Sequence, residues 1–203
     1  MTTPSQHSPD PELSERIASL RLATEESLTT LRPLCELPWT SRAGDLEWDC
    51  LTTVGHVAGA LVSYSSKMAL PASAASASFT LGVSHKGPSN ALDVLAATSA
   101  ILTTVLGAAA PTALSWHPFG MAGPLDCASM GSVEILVHTY DICQGLNVDW
   151  QPPDDLAAPA LAALFPDVPA GAHHGVDLLW ATGRVETADR ARRGSWAWVN
   201  SGR

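Results

Sequence analysis

The sequence predicts an all-α protein: a four-helix bundle with crossover connections, followed by a short C-terminal extension, part helical and part extended. Three observations carry that expectation. Apolar residues recur every three or four positions through four long segments, the period of a helix with one buried face. Proline and glycine punctuate the chain between those segments. Two connections are longer than hairpins, which suits a bundle with crossovers, and no fixed-period repeat points to a solenoid.

Residues 1–10 read as a disordered tail. The first helix spans about 11–32, with Leu13, Ile17, Leu20, Leu28 and Leu31 at helical spacing, and Pro33 ends it. A linker, 34–47, carries Pro38-Trp39 and Gly44-Asp45. Asp49 is the expected N-cap of a second helix that runs to Leu70 and stops at Pro71. Val54, Val57, Leu61 and Met68 give it an apolar face, while Gly55, Ala58, Gly59 and Ala60 give it a thin one. The stretch 71–89 reads as a loop. A third helix fits 90–109, with Leu92, Leu95, Ile101, Leu102 and Val105 apolar and Pro111 closing it. An aromatic loop follows, 111–124. The fourth helix runs from Pro124 to about Leu146, proline opening it and Gly145 near its end. After Trp150-Gln151-Pro152-Pro153, shorter helices are expected at 154–164 and 172–182. Trp196 and Trp198 alternate with small residues in the last twenty positions, the pattern of an extended segment. Residues 11–150 thus form the bundle, and 151–203 an extension packing on it.

Composition excludes several classes of function. With 203 residues there is room for one ordinary domain, and a formal net charge of −9 disfavours nucleic acid and anionic membrane surfaces. The stretch from Val94 to Leu125 has no charge, yet Thr, Ser, Gly and Pro interrupt it, so no membrane span is expected. The start of the chain has no basic region followed by an apolar run, and the four cysteines form no CxxC pair. A cytoplasmic protein with reduced thiols is the expectation. No phosphate loop, nucleophile elbow or HExxH motif is present.

Few ionisable groups lie inside the helices, so those that do stand out. Glu134 and His138 are four residues apart on one helical face, with Ile135, Leu136 and Val137 between them. Apolar neighbours all round predict broad burial, and a buried carboxylate and imidazole need partners. A metal ion is one solution; a simple Glu–His helical pair or a hydrogen-bonded core histidine is another. His56 lies in a charge-free stretch of the second helix, Leu51 to Ser66. With Glu134 and His138 it completes a two-His, one-carboxylate set that leaves coordination positions open, as a catalytic metal site does. Asp141, three residues after His138, is the candidate for a further active-site residue, accepting the outer N–H of a ligand histidine.

The residues Val54-Gly55-His56-Val57-Ala58-Gly59 and Val133-Glu134-Ile135-Leu136-Val137-His138-Thr139-Tyr140-Asp141 resemble the DinB-like metal-binding superfamily. They are most similar to the N-terminal domain of the mycothiol-dependent maleylpyruvate isomerases. The later run Leu178-Leu179-Trp180-Ala181-Thr182-Gly183-Arg184 resembles the tails of actinobacterial members. The resemblance implies a bundle holding a divalent metal, usually zinc, on His56, Glu134 and His138. It also implies mycothiol as a thiol cosubstrate, a small-molecule electrophile as its partner, and S-transfer or thiol-assisted isomerisation as the reaction. The isomerases carry a second domain that contributes to their active site, for which the residues after 150 are too few. Two other readings stay open: an Fe(II) enzyme on the same three ligands, and a non-catalytic metal-binding or stress-response module. A homodimer is also open.

Other residues have two readings each. Trp116, His117 and Phe119 fit an aromatic lid over the site or a plug at the bundle end. Cys127, near a helix start, fits a pocket thiolate or a small buried residue. Arg184 could meet an anionic group. His173-His174 and the arginines 190, 192 and 193 read as solvated.

Overall fold

The computed structural model describes residues 10–70, 86–110, 112–169 and 171–202. The expected tail before residue 10 and most of the expected 71–89 loop lie outside them. Among the described residues there are six α-helices and no β-strand: α1 (Pro11–Leu31), α2 (Cys50–Ala69), α3 (Pro88–Ala108), α4 (Pro124–Gly145), α5 (Asp154–Leu164) and α6 (His174–Ala181). Local chemistry sets the ends. Asp49 caps α2 by accepting from the Thr52 N–H at 2.7 Å, as its sequence position predicts. Proline opens α1, α3 and α4, where no intrahelical donor is needed. The alternating Trp196–Trp198 segment is extended but pairs into no strand.

Pairings between helices give the topology. The Glu26 carboxylate of α1 accepts from Trp150, just past the end of α4, and Ser27 bonds Thr139 at 2.7 Å, so α1 and α4 run parallel. Arg32, past the end of α1, pairs with Asp93 in the first turns of α3, so those two are antiparallel. Cys50 at the start of α2 reaches the Ile142 carbonyl late in α4, so these are antiparallel too. The order is therefore up-down-down-up. α2 and α3 are parallel neighbours. α1 and α2 each pack on α3 and α4.

The four helices meet at Gly131, where a Cβ would lie 3.1–3.3 Å from Leu20, Leu102 and Leu61 of the other three. α4 is buried nearly all round, as its apolar run predicts, because α5, α6 and the C-terminal segment cover the side that faces away from α1 and α2. Among the described residues, α3 alone is long and apolar enough to cross a membrane by length and composition. Here Leu92, Leu95, Leu102 and Leu106 pack into the bundle core.

At Gly145 the end of α4 touches the α1–α2 linker: a Cβ there would meet Cys50 Sγ at 2.8 Å and Ala43 Cα at 3.0 Å. Backbone cannot yield as a flexible side chain can. Gly145→Ala is expected to cost about 1–3 kcal/mol, read as a lower urea midpoint at unchanged slope.

Candidate metal centre

α2 and α4 bring the three predicted residues together. His56 Nε2 and His138 Nε2 each lie 3.3 Å from the same atom, Glu134 Oε2. Three ligand atoms, one from each residue, lie within 4.8 Å of one another. Atoms bound tetrahedrally at about 2.0–2.1 Å from one ion stand roughly 3.3–3.4 Å apart, so the two N···O separations match the edge of such a polyhedron. The donor set, two imidazoles and a carboxylate, suits zinc and other first-row ions. Glu134 and His138 are 9% and 7% exposed, whereas the His56 side chain is 38% exposed, so the cluster opens on one side.

A second layer of contacts orients these three. Asp141 Oδ2 lies 2.9 Å from His138 Nδ1. Burial opposes charge on Asp141, but its bonds with His138 and Arg184 hold the carboxyl below its usual value. An ionised carboxylate only accepts, so His138 Nδ1–H donates and Nε2 turns to Glu134. Asp141 thus meets the outer nitrogen of His138. Arg184 completes the row, with Nη2 and Nε 3.0 and 3.3 Å from the two Asp141 oxygens. Arg184 is reached through Gly183, which takes a φ of +71° after α6.

Burial also opposes charge on Glu134, yet the hydrogen bonds from His138 and His56 outweigh it and hold the carboxyl well below the carboxylate range. His138 moves the other way: burial would lower it, and the bonds to Asp141 and Glu134 raise it above the usual imidazole value.

Tyr64, absent from the sequence reading, donates its hydroxyl to Glu134 Oε1 at 3.1 Å. Burial and Glu134 push its phenol well above its usual value, so it stays a donor. It ties up one carboxylate oxygen and leaves the other to the histidines. A tyrosine two turns after His56, within the charge-free stretch 51–66, was the available signal. Trp48, also missed, lies against the His56 ring at 4.7 Å between centroids.

Other expectations divide. Trp116 is 61% exposed and covers nothing in the site. His117 is buried; its Nδ1 accepts from the Phe119 N–H, and its ring packs near Tyr64 and Trp198. The aromatic loop therefore packs against the bundle end beside the site. Cys127 is fully buried, and burial with Asp126 beside it pushes its thiol up to about 12, which overturns the thiolate reading. Of the three arginines 190, 192 and 193, Arg192 is exposed as expected and the other two are only partly so. The three pair with Asp177, Asp45 and Asp167, and Arg190 and Arg193 stack on Trp180. His173 is exposed, as expected.

The C-terminal segment forms one wall of the site. Trp196 and Trp198 line a cavity of about 250 Å³ with Trp48, the three candidate ligands and Arg184. Asp126, in the first turn of α4, anchors this segment by accepting from Gly123 N, Ser201 N, Ser201 Oγ and Gly202 N at 2.8–2.9 Å. Asp126→Ala is expected to cost about 2–3 kcal/mol and release the segment. Limited proteolysis after residue 190 and a red shift in tryptophan emission would show it.

No protein-family model matches the chain, and no curated protein does. Two solved structures match its fold. One is the crystal structure of the mycothiol-dependent maleylpyruvate isomerase, 16% identical, TM-score 0.60, covering 94% of this chain and 94% of that one. The other is a histidine-to-alanine mutant of a mycothiol-dependent maleylpyruvate isomerase, 17% identical, TM-score 0.55, covering 92% of this chain and 77% of that one. At these identities the likeness establishes a shared fold: the chain has the helical architecture of the mycothiol-dependent maleylpyruvate isomerases.

Proposed function

We propose that this protein is a divalent-metal-dependent enzyme of thiol chemistry, joining a low-molecular-weight thiol of the mycothiol type to a small electrophile or using it to isomerise one. The observation that carries the reading is the convergence of His56 Nε2 and His138 Nε2 on Glu134 Oε2 at 3.3 Å each. The fold shared with isomerases named for mycothiol supports the thiol. His56, Glu134 and His138 would hold the ion, which the donor set suggests is zinc. A bound zinc ion would supply Lewis acidity, lowering a thiol's pKa so that thiolate exists at neutral pH.

The chain's own residues do the rest. Asp141 holds His138 in the tautomer whose Nε2 is free to ligate, and Arg184 keeps Asp141 ionised. Tyr64 occupies Glu134 Oε1 and leaves Oε2 for an ion, and three protein ligands would leave room for a thiol. Trp48, Trp196 and Trp198 wall the approach. All four cysteines are free, in keeping with a reducing, cytoplasmic setting for such a thiol.

Elemental analysis of protein purified without added metal, followed by turnover of electrophiles with and without mycothiol, tests the proposal. About one equivalent of zinc with mycothiol-dependent turnover is the expected result. Iron with oxygen-dependent, thiol-independent turnover would replace it with the Fe(II) reading. Metal without turnover of any electrophile would leave a binding module.

A further inference from the structure

We infer that the body of the thiol cosubstrate sits in a second, larger cavity beside the metal centre, that this body is rich in hydroxyl groups, and that Asp45, Tyr140 and Gln144 read it. The inference rests on the thiol-transfer reading and adds the place and chemical class of the thiol's unreactive part. The larger cavity measures about 590 Å³, an ordinary size for a ligand pocket. It adjoins the cavity of about 250 Å³ at the candidate ligands and shares Leu46, Thr182, Arg184 and Trp196 with it. A body seated here lies next to the place where its sulfur would react.

Two of the reading groups come from α4. That helix is buried along its length except at Leu125, Tyr140, Gln144 and Gly145. Tyr140 and Gln144 are four residues apart, share one face, and both line the larger cavity. Neither side chain hydrogen-bonds another described residue. The third group, Asp45, comes from the α1–α2 linker. Its Oδ2 pairs with Arg192, which leaves Oδ1 to accept from a ligand. Arg184, Arg192 and Arg193 line the same space and keep N–H donors beyond those spent on Asp141, Asp45 and Asp167. The wall thus presents donors and acceptors together. A hydroxyl both donates and accepts, whereas a carboxylate uses donors alone and an ammonium group uses acceptors alone. The phenol of Tyr140 and the amide of Gln144 can act in either sense, which suits a body carrying several hydroxyls. Each arginine already has a carboxylate partner, so a neutral body leaves no charge unmatched.

The test is equilibrium binding of S-methylmycothiol and of S-methylglutathione to the protein as purified, by ligand-observed NMR. Methylation removes the S–H, so the measurement reads the body alone. The first body is a sugar joined to a cyclitol, the second a charged peptide. S-methylmycothiol is expected to bind at least about tenfold more tightly. The double substitution Tyr140→Phe with Gln144→Leu is expected to lose about tenfold of that affinity at unchanged metal content. Gln144→Leu alone and Asp45→Ala alone, both at exposed positions, are expected to lose about threefold each at an unchanged melting temperature. Equal or tighter binding of S-methylglutathione, binding of neither, or an unchanged affinity in these variants overturns the inference. Absence of metal, or of thiol-dependent turnover, sinks the proposed function while leaving the comparison of the two thioethers intact.

Discussion

Glu134→Gln is expected to reduce metal occupancy from about one equivalent to below about 0.1, without unfolding the protein. The amide keeps the shape of the side chain and can still accept from Tyr64. It removes the anionic oxygen on which both histidines converge. Elemental analysis and a competition titration with a chromophoric chelator would read the loss. The same substitution has a signature in metal-free protein. The Glu134 carboxyl is held below its ordinary range, so its contribution to stability is present above that range and fades as pH falls through it. His138 is raised, so its contribution is present below the ordinary imidazole range and fades as pH rises through the raised value. Chelated wild-type protein is expected to be most stable between these two limits. Thermal melts from about pH 2 to pH 9 should show both limbs in wild type. Glu134→Gln should flatten the acid limb.

Asp141→Asn is expected to act twice. Metal affinity should fall about 10–100-fold, because an amide can present either its oxygen or its NH₂ to His138 and no longer fixes the tautomer. Folding stability should fall by about 3 kcal/mol, because the Arg184 side chain, 13% exposed, keeps its charge without a counter-charge. The double substitution Asp141→Asn with Arg184→Met separates the two effects. Removing the orphaned charge should recover most of the urea stability and none of the metal affinity. Recovery of both would mean that Asp141 serves the fold and not the ligand.

Much of the site was legible before any coordinates, because its logic is local. Glu134 and His138 share a face by helical spacing, and Asp141 falls one turn on. His56 is conspicuous because no charge surrounds it from Leu51 to Ser66. The partners that orient these groups were not legible. Tyr64 meets Glu134 across 70 positions, and Arg184 meets Asp141 across 43. Periodicity within a helix carries no information about which residue of another element arrives opposite. Cys127 shows the converse. A position near a helix start favours a thiolate, and complete burial overrides it.

The sequence by itself determined the helices and the residues able to ligate a metal. Capping, proline stops and apolar spacing act over a few positions, and the scarcity of charge leaves few candidates. Only the tertiary structure decided the up-down-down-up order, the commitment of Arg184 to Asp141, and the return of Trp196 and Trp198 to wall the site. These depend on pairings between residues far apart in the chain. One of them, Asp126 holding Ser201 across 75 positions, joins the start of α4 to a segment whose own pattern specifies no regular structure. Buried hydrogen bonds of that kind fix where an irregular segment lies, and they exist only once the bundle has formed.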